Sequence, residues 1–150
     1  MHTTRDQFTN DSLFSLIREA LSQHHQDKPK HYEISTVNCL MSALGMFSLK
    51  YPSLLQFEKD RVSENTLRYN LHTLFGVLRA PCDTQMRERL DGLDLTGIRA
   101  ANKAIIGRLQ RGKVLENWKF LDQFYLVPLD GTGFFSSPTI HCDYCCEKHH

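Results

Sequence analysis

Residues 124–137 read FYLVPLDGTGFFSS. The apolar run ends on one acid, Asp130, and the chain leaves it through Gly131 and Gly133. A short apolar run bounded by glycines predicts a strand buried on both faces. A carboxylate at the exit of such a strand has two readings. Either Asp130 opens a turn, since Asp-Gly is a common turn pair, or it is held by a cation, because a lone buried charge is costly. Hard divalent cations such as Mg²⁺ take one or two carboxylates together with water and phosphate oxygens. Pro128 cannot donate to a strand ladder, which puts that position at an edge, a strand end or a bulge.

Just downstream, HCDYCCEKHH (residues 141–150) crowds Cys142, Cys145, Cys146 and His149 together. The two-residue gap between Cys142 and Cys145 lets both sulfurs reach one tetrahedral zinc, and His149 follows at a workable distance. The other reading is a loop of buried or reactive thiols. Cys39, among Leu40, Met41 and Leu44, reads as a small buried hydrophobe, and Cys82, after Pro81, as a loop thiol. An odd total of five cysteines suits no fully paired disulfide framework.

Upstream the pattern is helical. Phe8, Leu13, Phe14, Leu16, Ile17 and Leu21 predict a short amphipathic helix capped by Asn10 or Asp11. It fades into a polar linker, so residues 1–33 are expected to be peripheral. The adjacent His24 and His25 point in different directions on a helix and make a poor metal pair. Val37, Leu40, Met41, Leu44, Phe47 and Leu49 predict a second helix over residues 34–50. Ser42, Ala43, Gly45 and Ser48 interleave with them and would let another helix approach closely. Ser63 is the expected cap of a third helix, with Leu67, Leu71, Leu74, Phe75 and Leu78 as its apolar stripe and Gly76 near its end. Asp83 or Thr84 would cap a brief helix stopped by Gly92. A last helix over residues 95–111 turns Ile98, Ala101, Ile105, Ile106 and Leu109 inward, and Gly112 sits where a C-terminal cap belongs.

The expected architecture is therefore mostly α: a helical region over residues 34–120, followed by a β-unit opening at residue 121. At 150 residues, 41% hydrophobic and 23% charged, the chain has a soluble domain's composition. No apolar stretch approaches the ~20 residues a membrane helix needs, and the first thirty residues lack a signal peptide's apolar centre. The expectation is a cytoplasmic protein with no membrane partner. The net charge of +1 hides an asymmetry: residues 61–120 hold 11 Lys/Arg against 6 Asp/Glu. That surplus suits a DNA backbone and equally suits a solvated helix face. Short, Arg-bearing helices joined by tight turns could read DNA in helix-turn-helix fashion. Arg79, Arg87, Arg89, Lys103, Arg108 and Arg111 are the candidate contacts, with Thr84 and Gln85 beside them.

Three words of the sequence resemble DDE-type transposases of bacterial insertion sequences, in that family's order. They are NCLMSALGMFSLKYPSLLQFEKD (residues 38–60), HTLFGVLRAPCDTQMRERLDGLD (72–94) and LDGTGFFSSPTIHCDYCCEKHH (129–150). The resemblance runs from about residue 30 to the last. It implies that residues 121–150 open an incomplete RNase H-like α/β domain. Asp130 would be the first of three catalytic carboxylates, holding Mg²⁺ or Mn²⁺, at the end of that domain's first strand. It also implies that the region before the catalytic core helps hold transposon-end DNA, and that the Cys/His stretch lies between the first two strands. Asp122 and Asp143 do not match the second and third carboxylates, so the pattern stops partway. The chain is expected to be a truncated transposase, inactive alone but able to associate with itself or the full-length enzyme. The alternatives are a non-catalytic DNA-binding module, a zinc-stabilised module or an inactive relic.

Overall fold

A computed structural model describes residues 8–27 and 34–127. Among them the fold is mostly helical: α1 (Asn10–His24), α2 (Thr36–Ser48), α3 (Leu54–Ser63), α4 (Asn65–Thr73), α5 (Asp83–Asp91) and α6 (Thr96–Arg111). A 3-10 turn (Val114–Trp118) leads into a two-stranded antiparallel hairpin, β1 (Lys119–Phe120) and β2 (Phe124–Tyr125). The chain divides into two compact units, Met1–Leu115 and Glu116–His150.

Helix starts in the first unit follow side-chain chemistry. The hydroxyls of Thr9, Ser35 and Ser53 accept the backbone N–H of Ser12, Asn38 and Gln56, satisfying donors that α1, α2 and α3 would otherwise leave orphaned. Ser63 is not a cap. It closes α3, and its hydroxyl donates back to the Lys59 carbonyl. Glu64 is the single residue between α3 and α4, and it makes no side-chain cap bond. Neither Asp83 nor Thr84 caps α5: Cys82 holds that position without a side-chain bond. The donor is satisfied from another helix, because Glu58 Oε2 of α3 accepts the Asp83 N–H at 3.0 Å while its Oε1 accepts Arg61 Nη2 at 2.8 Å. Glu58→Ala should therefore cost about 1–2 kcal/mol of unfolding free energy, read from urea denaturation.

The core gathers Ala20 and Leu21 of α1, five apolar residues of α2, Phe57 of α3, Leu67 and Leu71 of α4, Met86 of α5 and Ala101 of α6. α1 is thus a core helix and not a peripheral one; Phe14 adds a ring contact to Phe75 at 4.6 Å. Cys39 is fully buried, as its neighbours predict, and burial pushes its thiol pKa up. A Cβ on Gly45 would lie 2.8 Å from Leu71 and 3.4 Å from Phe75, so the small-residue face of α2 does admit close packing. Phe47, Leu78 and Ile106 depart from the predicted stripes and are 71%, 83% and 50% exposed.

Gly76 adopts a left-handed φ of 64° after α4, which swings Val77 back so that its N–H reaches the Leu71 carbonyl. This turn is pinned from outside by Arg18 of α1. Its guanidinium donates to Asn38 Oδ1 (2.9 Å) and to the carbonyls of Phe75 (2.9 Å) and Gly76 (2.8 Å). One cation joins α1, α2 and the turn that follows α4.

In the second unit the hairpin pairs Lys119 with Tyr125 and Phe120 with Phe124. Leu121 and Asp122 both take left-handed φ values, 50° and 58°, and the Gln123 N–H closes the turn on the Phe120 carbonyl. Such a turn matches the twist of paired strands but suits glycine and asparagine better. The expected two-sided burial does not hold over residues 124–127, because Phe124, Tyr125, Leu126 and Val127 are all exposed. The physical reason is that β2 pairs only with β1 among the described residues, and a two-stranded sheet has no second layer of its own.

Candidate nucleic-acid interface

Helix α6 is built to present cations. Its entry is fixed by Asp94, whose carboxylate accepts both the N–H (3.2 Å) and the hydroxyl (2.9 Å) of Thr96. These bonds hold the Asp94 pKa below its ordinary value. The inner side of α6 packs on α1. Gly97 is buried there, so close to the His25 imidazole that a Cβ would collide with it, and the Phe8 ring covers Gly112 just beyond the other end. Ala101 is buried, with Ile98, Ile105 and Leu109 half-buried.

That docking leaves Arg99, Lys103 and Arg111 exposed, while Arg108, three residues before Arg111, is half-buried. The helix TGIRAANKAIIGRLQR holds these four cations and no carboxylate. Lys103 lies one turn beyond Arg99, and Arg111 about 12 Å beyond Lys103 at the helical rise of ~1.5 Å per residue. Arg111 folds towards Gly107, its Nη1 lying 3.2 Å from where a Cβ there would stand. Arg99 was not among the sequence candidates; its four-residue spacing to Lys103 was the available signal.

The other candidates stand differently. In α5, DTQMRERLD, three acids outnumber two arginines. Arg87 is bound to Asp83 at 2.6 Å, which raises its pKa. Arg89 is half-buried and donates to the Ile34 carbonyl, so its guanidinium has a structural partner. Arg79 is exposed in the loop between α4 and α5. Thr84 and Gln85 are also exposed. The structure thus gathers Lys103, Arg108 and Arg111 on one helix, and leaves Arg79, Arg87 and Arg89 in other settings.

The first unit also holds a cleft of about 290 Å³ lined in part by Tyr51, Gln56, Asp60 and Glu64. Burial raises the Tyr51 phenol pKa, and the carboxylates of Asp60 and Glu64 and a hydrogen bond to Asp60 raise it further. Two carboxylates against Lys50 give the cleft the wrong sign for a phosphate.

Asp130, Cys142, Cys145, Cys146 and His149 lie outside the described residues. Among the described residues, no group of three or more His, Cys, Asp or Glu side chains could hold a metal ion. Nor, among them, is any helix long and apolar enough to cross a membrane. What these residues define is a small helical fold in which α6 carries four cations and no carboxylate. No protein family, curated protein or solved structure matches the chain.

Proposed function

We propose that the helical region holds transposon-end DNA, with the outer side of α6 as its phosphate-contacting surface. What carries this reading is the resemblance of three sequence words, residues 38–60, 72–94 and 129–150, to DDE-type transposases. A helix with four cations and no carboxylate supports it, since Lys and Arg supply the sequence-independent part of DNA affinity. The negative balance of α5 favours α6 over α5 as the contact helix.

In the same reading, residues 121–150 open an RNase H-like catalytic domain with Asp130 as its first carboxylate. Asp130 would contribute one ligand to Mg²⁺ or Mn²⁺. Such ions, when bound as a pair, activate an attacking water or 3′-hydroxyl and stabilise the leaving oxygen. One carboxylate does not fix two cations, so these 150 residues alone are expected to bind DNA without cutting it.

Both halves are tested on a labelled duplex carrying the element's inverted repeat. Binding should weaken steeply between about 50 and 200 mM salt, and no nicking should appear with Mg²⁺ or Mn²⁺. Salt-insensitive binding would contradict the DNA-holding half. Cleavage abolished by Asp130→Ala would contradict the expected inactivity.

A further inference from the structure

We draw no further inference here: the strongest candidate, the open cleft between the α2–α3 loop, α3 and α4 with Asp60 and Glu64 beside Tyr51, rests on a pair of carboxylates with no second observation that points to a ligand.

Discussion

Arg18→Ala is expected to lower the unfolding free energy by about 2–4 kcal/mol. The substitution removes three hydrogen bonds from one cation and strips partners from Asn38 Oδ1 and the carbonyls of Phe75 and Gly76. A bond to a charged group contributes about 1.5–3 kcal/mol, and an acceptor left buried and unpaired costs about 1–3 kcal/mol. These acceptors are partly solvated, so the sum falls well short of three full losses. Burial lowers the Arg18 pKa, yet the side chain still links three segments at once. A urea midpoint lower by about 1–2 M, with an unchanged slope, is the expected readout. Arg18→Lys should fall between the two, because an ammonium lacks the planar fork that reaches several acceptors. An unchanged midpoint in Arg18→Ala would remove this residue from the account of the fold.

The double variant Lys103→Ala/Arg111→Ala is expected to weaken DNA binding about tenfold or more near physiological salt. The dependence of log K on log salt should become shallower by about 2, one for each phosphate no longer neutralised. Both side chains are exposed, so the stability change should stay within about 0.5 kcal/mol. A weaker complex would then reflect the missing cations and not an unfolded chain. Arg89→Ala is the contrasting case: it removes the donor to the Ile34 carbonyl and should act on stability before it acts on DNA. Equal affinity and slope for the double variant and the unaltered chain would overturn the assignment of α6.

Local pattern made much of this fold readable. The apolar spacing in α1, α2 and α6 predicted those helices, and Gly92 and Gly112 stand at the C-terminal caps where the sequence suggested. Helix α3 was hard to see because LLQFEKDRVS buries only Phe57 and has little periodicity. Its evidence lies in contacts made elsewhere: Phe57 meets the Tyr51 ring edge-on at 5.3 Å, and Glu58 reaches the start of α5. Ser63 misled for a related reason. A serine before a polar residue resembles a cap, but here α3 continues through it and turns directly into α4.

The candidate interface was legible only in part, again because charge alone does not fix a partner. Arg89 and Arg108 look alike in sequence, yet Arg89 holds a carbonyl 55 residues away while Arg108 lies in the last turn of α6. Cations in a last turn also favour the helix dipole by about a few tenths of a kcal/mol, a local role that sequence cannot tell from DNA contact. Arg18 escaped notice because its partners lie 20, 57 and 58 residues downstream.

Hydrogen exchange of the 150-residue chain, with and without an inverted-repeat duplex, would locate the DNA contact on a particular helix. DNA should slow exchange within α6, Thr96–Arg111, and leave the amides lining the Tyr51–Asp60–Glu64 cleft unchanged. Protection confined to α3 and α4, or none at saturating duplex, would contradict the assignment of α6 as the contact helix.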